Sequence, residues 1–166
     1  FGAVIYLSAR IDKMSAELVG IVFMLYAILN GLTLSMVFLI YTAGSIASTF
    51  LVTALTFAVM SLYGYTTKRD LTSWGNLFFM ALIGLVIASV VNIFLGSELM
   101  YWIITYVGVL IFVGLTAYDT QKIKQMASYE DGQEVAQKKS ILGALTLYLD
   151  FVNLFLYLLR FLGDRK

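Results

Sequence analysis

Long stretches without charge are the feature that most constrains this chain. No Asp, Glu, Lys or Arg falls within residues 18–67, 71–97 or 99–118. A helix needs roughly 20 apolar residues to cross a hydrocarbon core about 30 Å thick. The first stretch is therefore long enough for two membrane-spanning helices, and each of the other two for one. Hydrophobic residues make up 61% of the chain and charged residues 13%, against about 45–50% and about 25% in soluble domains.

These stretches predict an all-α membrane protein with a single transmembrane helical domain over residues 1–166. The predicted spans are 1–9 in part, 18–41, 46–67, 74–95, 99–121 and 140–162. Residues 1–9 are typical of the end of a hydrophobic helix, and no basic segment of the kind found in a signal peptide precedes them. We therefore expect that the chain as given begins inside a helix.

The placement of Lys and Arg predicts the topology, because cytoplasmic loops of membrane proteins are enriched in them. Loops 10–17, 68–73 and 122–139 contain basic residues, whereas the turns 42–45 and 96–98 contain none. This strict alternation predicts that the three basic loops are cytoplasmic. The last helix then runs outward and carries a short basic tail with it, unless it is a re-entrant segment.

Histidine and cysteine are absent from the chain, which removes disulfides and the commonest zinc ligands. A response between pH 5 and 8 would then have to come from a carboxylate. The sequence also lacks a His-Glu-x-x-His motif, a Gly-x-Ser-x-Gly elbow, a phosphate loop and a basic run for nucleic acid. We expect no enzymatic activity, no cofactor and no nucleic-acid partner, and an intramembrane aspartyl protease is the alternative that two aspartates leave open.

The polar residues of the last predicted helix lie on one side of it. At about 100° per residue they fall within a stripe about 80° wide, which consists of Gly143, Thr146, Asp150, Asn153 and Tyr157. A carboxylate facing lipid at mid-span costs at least about 2.5–3.5 kcal/mol, so the stripe should face protein or a water-filled cavity. Asp150 is thus a candidate for an ion or proton pathway. The alternative is a neutral aspartate hydrogen-bonded to a neighbouring helix.

Asp119 is the second candidate, at the cytoplasmic end of its predicted helix. Asp150 lies roughly 15 Å into its own helix at 1.5 Å per residue, so the two would meet if Asp119 sits one or two turns inside the boundary. Two carboxylates in one site cannot both ionise cheaply and titrate as a pair. Arg10, at the same membrane level, is a candidate partner for Asp119. A solvated helix-end aspartate and an interfacial arginine are the alternatives.

Four segments of the sequence carry a family resemblance. They are Leu-Asn-Gly-Leu-Thr-Leu-Ser (29–35), Ser-Leu-Tyr-Gly-Tyr-Thr-Thr-Lys-Arg-Asp-Leu (61–71), Ala-Tyr-Asp-Thr-Gln-Lys-Ile (117–123) and Ala-Leu-Thr-Leu-Tyr-Leu-Asp-Phe-Val-Asn-Leu-Phe (144–155). These segments resemble the Bax inhibitor-1, or transmembrane BAX inhibitor motif, family. The resemblance implies six helices around a central C-terminal seventh, with the first helix and most of the second absent from this chain. It also implies a multi-pass protein of the bacterial inner (plasma) membrane.

The resemblance further implies a function. The family is associated with pH-sensitive calcium leak, and its proposed sensor is a pair of aspartates that Asp119 and Asp150 match. Arg10 matches a family arginine proposed to latch onto the first aspartate. Calcium would be the transported ion, and as a hard cation it would contact the carboxylates transiently. Some bacterial relatives are linked to a membrane protease, so a non-conducting regulatory protein that binds such a partner is the alternative.

Overall fold

The computed structural model describes residues 14–126 and 132–166. Six helices occur in this part of the chain: α1 (Ala16–Leu34), α2 (Val37–Ile40), α3 (Ala43–Thr66), α4 (Thr72–Leu95), α5 (Glu98–Met126) and α6 (Gln133–Leu162). Since α1 and α2 form one nearly continuous span, 5 of the segments in this part are long and apolar enough to cross a membrane. The expected all-α membrane fold class is confirmed here. The count of seven helices stays a prediction, and the partial span 1–9 lies outside the described residues.

The outer surface of the bundle is apolar. Phe94 is 84% exposed, Ile93 77%, Leu99 72% and Leu39 71%. A soluble protein rarely exposes large contiguous apolar patches, whereas these side chains are well placed against lipid tails. The apolar exterior therefore agrees with the charge-free stretches of the sequence.

Local capping sets several of the helix boundaries. The Ser15 hydroxyl accepts a hydrogen bond from the Leu18 amide at the start of α1, and the Thr42 hydroxyl does the same for Ser45 at the start of α3. At the end of α4, Gly96 adopts a left-handed conformation with φ 59°, which a residue with a Cβ adopts only at a cost. These caps satisfy backbone groups that a helix leaves unpaired at its ends.

Helices α5 and α6 are antiparallel and form the centre of the described bundle. Helix α6 packs against α1, α3 and α5, while α5 packs against α3, α4 and α6. The main apolar core lies between them and α4, with Leu154 completely buried and Ile111 only 3% exposed. Both helices also extend into the polar segment 122–139, since α5 continues to Met126 and α6 begins at Gln133.

Helix α6 crosses from one end of the bundle to the other. Its 30 residues correspond to about 45 Å at 1.5 Å per residue. The residues that follow it pair with the turn after α2: the Thr42 amide donates to the Asp164 carbonyl (3.0 Å), and the Lys166 amide donates to the Ile40 carbonyl (2.9 Å). Because that turn is the predicted non-cytoplasmic one, the structure favours a crossing helix over a re-entrant segment.

Candidate functional site

The polar stripe of α6 lies in a region of close helix packing against α5. A Cβ atom on Gly143 would come within 3.1 Å of Cγ1 of Ile123, so the absence of a side chain lets the two helices approach here. One and two turns further along α6, Thr146 is half-buried and Asp150 is 4% exposed. The placement of Asp150 away from lipid is therefore a consequence of how α6 packs on α5.

Asp119 lies on α5 directly beside Asp150. The two carboxyl groups are close enough to interact through a side-chain hydrogen bond and electrostatically. The Oδ2 atom of Asp150 has no hydrogen-bond partner among the described residues. Buried polar atoms without partners are rare in proteins, and here the orphaned oxygen belongs to a carboxyl already in contact with a second carboxyl. The structure thus brings together the two aspartates that the sequence pointed to.

The two aspartates line one cavity of about 630 Å³. Its walls come from α1, α4, α5 and α6, and its polar lining residues include Tyr26, Asn30, Asn76, Tyr118, Asp119, Lys122, Thr146, Asp150 and Asn153. Apolar residues such as Phe79, Leu82 and Leu115 complete the walls. This mixture gives a space large enough for many water molecules, with carboxylate, amide and hydroxyl groups, inside a membrane-spanning bundle.

The other residues of the predicted stripe have different surroundings. The Thr146 hydroxyl donates to the Leu142 carbonyl (3.0 Å), and the Asn153 amide donates to the Leu149 carbonyl (2.8 Å). Both side chains therefore donate a hydrogen bond within their own helix, and their side-chain oxygens are available to the cavity. Tyr157 lines a second cavity instead, where its ring stacks on Phe112 with centroids 5.8 Å apart.

Lys122 is a site residue that sequence reasoning assigned to a solvated loop. It lies on α5 one turn after Asp119, lines the same cavity and interacts electrostatically with that carboxyl. The spacing of three residues was the signal that could have identified it, because side chains at i and i+3 of a helix are neighbours. This spacing is informative only if the helix continues past residue 121, where the predicted span ended.

Gln121 is a second residue that sequence reasoning missed. Its Oε1 atom accepts a hydrogen bond from the Leu71 amide (2.9 Å), and its Nε2 atom donates to the Arg69 carbonyl (2.8 Å). These bonds fix the loop between α3 and α4 to α5 two residues from Asp119. An isolated glutamine has no sequence pattern that predicts such a role.

Two predicted features of the site are not placed by the structure. Arg10, the candidate latch, lies outside the described residues, so its contact with Asp119 stays a prediction. Within residues 14–126 and 132–166, no group of three or more Asp or Glu side chains is arranged to hold a metal ion.

Comparison with known proteins decides the family. The family model described as inhibitor of apoptosis-promoting Bax1 matches residues 1–166. The chain belongs to the Bax inhibitor-1 family. The resemblance seen in the four sequence segments is thereby confirmed over the whole chain.

Several bacterial relatives agree with this membership. The inner membrane protein YbhL of Escherichia coli (strain K12) is 62% identical over 165 residues, which cover 98% of this chain and 70% of YbhL. A protein of Rickettsia prowazekii is 51% identical over 99% of this chain and 70% of its own length. A membrane protein of Streptococcus pyogenes is 44% identical over 86% of this chain and 62% of its own length. This Bax inhibitor-1 family chain is a multi-pass protein of the inner membrane, as the sequence predicted.

Proposed function

We propose that this protein is a pH-sensitive calcium leak channel or transporter, gated by protonation of Asp119 and Asp150. The observation that supports the proposal is the direct interaction of the two carboxyl groups in a cavity of about 630 Å³. In this proposal the protein performs no catalysis and needs no cofactor, and calcium is its cargo. Arg10 enters as a latch on Asp119.

Protonation would change the force between α5 and α6 at this point. When the pair shares a proton, a hydrogen bond between the carboxyl groups holds the helices together. When both groups are ionised they repel each other. In general, two like charges at a contact separation of about 4 Å repel by about 4 kcal/mol at an effective dielectric constant of about 20. That energy corresponds to a shift of roughly a thousandfold in a two-state equilibrium. The pair can therefore act as a proton-dependent switch without any histidine.

The lining of the cavity suits a cation in transit. Calcium prefers oxygen ligands and takes 6–8 of them, and the cavity offers the two carboxylates with the side-chain oxygens of Asn76, Thr146 and Asn153. Conduction requires binding that is favourable enough for entry and weak enough for release. Two carboxylates supplemented by neutral oxygens provide such an intermediate site.

Calcium flux into liposomes, measured with the full-length protein from pH 5 to pH 8, tests the proposal. Asparagine has the shape of a neutral carboxyl group, so Asp119→Asn and Asp150→Asn each mimic the protonated state. We expect the flux through either variant to be independent of pH and close to the wild-type value at the acid end. Asp70→Asn is the matched control, because this carboxylate lies exposed in the loop between α3 and α4 and its loss should leave the wild-type profile.

Three results would count against the proposal. A wild-type pH profile in both asparagine variants would show that the pair does not sense protons. Absence of flux at every pH, with a co-purifying membrane protease that stays bound to both variants, would favour the regulatory alternative. Cleavage of a peptide substrate that is lost on either substitution would instead indicate a hydrolase.

A further inference from the structure

Two arginines lie at the end of the bundle where the topology does not call for them. Arg160 is in the last turn of α6, and Arg165 follows that helix. This end also contains the turns 42–45 and 96–98, which have no basic residue. The positive-inside rule explains the basic loops at the opposite end, but it gives no reason for two guanidinium groups here.

Aromatic side chains, and not carboxylates, hold both guanidinium groups. The Arg160 Cζ atom lies 5.3 Å from the ring centroid of Tyr157 and 5.9 Å from that of Tyr101. Arg165 donates a hydrogen bond from Nη2 to the Tyr101 hydroxyl at 2.9 Å. In the part of the chain that the structure describes, neither arginine has a carboxylate within salt-bridge distance. Glu98 lines the same pocket as both arginines, and Asp164 directly precedes Arg165 in the sequence.

The arginines border a cavity of about 710 Å³. Tyr101, Tyr157 and the two guanidinium groups line its outer end. Helix α4 contributes the apolar side chains of Val86, Val90 and Ile93, which are 45–77% exposed, together with the polar Ser89 and Asn92. A cationic end above an apolar, lipid-facing wall is the shape complement of an anionic amphiphile.

The position of Arg165 is fixed before any ligand binds. Its backbone pairs with Tyr41, and the side chain of Lys166 donates to the Phe38 carbonyl at 2.8 Å. The chain after α6 is thus tied to the turn between α2 and α3. A group held in place in this way loses little conformational freedom on binding.

We propose that Arg160 and Arg165 bind the phosphate group of an anionic phospholipid at the non-cytoplasmic end of the bundle. Guanidinium groups present paired N–H donors that match the oxygens of a phosphate, and the Tyr101 hydroxyl is positioned to add another donor. The apolar wall of α4 receives an acyl chain of the same lipid. This site adjoins the Asp119–Asp150 cavity at Leu82, Phe112 and Asn153, but the proposal does not rest on the proposed calcium leak.

Quenching of Trp102 by brominated phospholipids tests this proposal in the full-length protein. Trp102 lies beside both arginines in a smaller pocket of about 340 Å³, and its signal is obtained by difference from a Trp102→Phe variant. We expect brominated phosphatidylglycerol to quench it more strongly than brominated phosphatidylcholine at equal mole fraction. Each cation near an anionic surface favours the lipid by about 1 kcal/mol, or roughly fivefold, so Arg160→Gln with Arg165→Gln should abolish the preference.

Matched variants make the outcome specific. Lys68→Gln with Arg69→Gln removes two cations at the opposite end of the bundle and should keep the preference. Arg160→Gln alone leaves the Arg165–Tyr101 bond intact, so a roughly fivefold weakening in this variant cannot be attributed to loss of the fold. Equal quenching by the two lipids in the wild type, or an unchanged preference in the double variant, would overturn the proposal. If millimolar inorganic phosphate protects Trp102 from quenching by brominated phosphatidylglycerol, the lipid assignment is overturned. The site would then recognise phosphate as a free anion.

Discussion

Helix α6 carries two charged regions that differ in almost every physical respect. Near its middle, Asp150 is 4% exposed and its Oδ2 atom has no hydrogen-bond partner in the described chain. At its outer end, Arg160 is exposed and rests on two tyrosine rings. The two cavities they line meet at Leu82, Phe112 and Asn153. Helix α6 thus runs from a buried pair of carboxyl groups to an exposed pair of arginines.

Burial decides what a charge can do in this bundle. The Asp119–Asp150 pair is enclosed by protein, so its charge state alters the balance of forces between α5 and α6. Arginine keeps its charge at every physiological pH, and exposed guanidinium groups can exchange water for a ligand. The first region is therefore suited to sense protons, and the second to bind an anion.

The largest expected effect separates the two regions by their response to pH. In the full-length protein, Asp150→Asn should raise the free energy of unfolding at pH 8 by an amount on the order of a few kcal/mol, because the amide cannot ionise and so removes the repulsion between two carboxylates. At pH 5 the gain should vanish, because the wild-type pair is then protonated. Arg160→Gln should change stability equally at both pH values. Melting curves of both variants and the wild type from pH 5 to pH 8 measure these changes in stability. The same pH dependence in the two variants would show that the two charged regions do not differ in their response to protons.

A second prediction compares the two ends of α3. A Cβ atom at Gly64 would overlap the carbonyl group of Ala117 on α5, whereas at Gly44 it would meet no atom within 4 Å. Gly64→Ala should therefore lower the free energy of unfolding by about 1–3 kcal/mol, as overpacking does. Gly44→Ala should leave it unchanged or raise it by up to about 1 kcal/mol. Denaturation in detergent measures both, and equal stabilities would argue against the close approach of α3 and α5.

A smaller effect is expected at Lys122. Removing this cation with Lys122→Gln should move the midpoint of the calcium flux profile to higher pH, since a nearby positive charge favours the ionised form of Asp119. For an exposed pair worth about 0.2–1 kcal/mol, the shift is roughly 0.1–0.7 pH units. Lys124→Gln serves as the control, because Lys124 donates to the Tyr65 carbonyl and does not line the cavity. A shift of the same size in both variants would mean that net charge alone is responsible.

The smallest effect is expected at Asp70, outside the membrane. Its carboxylate accepts a hydrogen bond from the Thr72 amide at 2.9 Å, and hydrogen bonding to Thr72 lowers the pKa of Asp70 below its usual value. The bond therefore stabilises the fold above the ordinary pKa of an aspartate, and this contribution is lost as the pH falls through the lowered pKa. Asp70→Asn should reduce the melting temperature slightly at pH 7 and not at the acid end. A larger loss at low pH would contradict this sign.

Part of the site could be predicted from the sequence. Asp150 and the stripe around it follow from 3.6 residues per turn, and the family segments single out Asp119 as its partner. Lys122, Gln121 and the arginine cluster could not be found in this way. Their roles depend on the length of α5 past residue 121, on the position of the loop before α4, and on the path of the chain after α6. None of these has a local sequence signal.

The sequence alone predicts that the chain crosses a membrane several times, that its basic loops face the cytoplasm and that its last helix carries a carboxylate turned away from lipid. These properties depend on the cost of charge in hydrocarbon, which acts on each segment separately. Only the tertiary structure decided that Asp119 and Asp150 share a cavity, that α6 crosses the bundle, and that Arg160 and Arg165 converge on Tyr101. Contacts between helices depend on the shapes of side chains that are distant in sequence, such as Gly64 against Ala117, and a hydrophobic pattern does not contain that information.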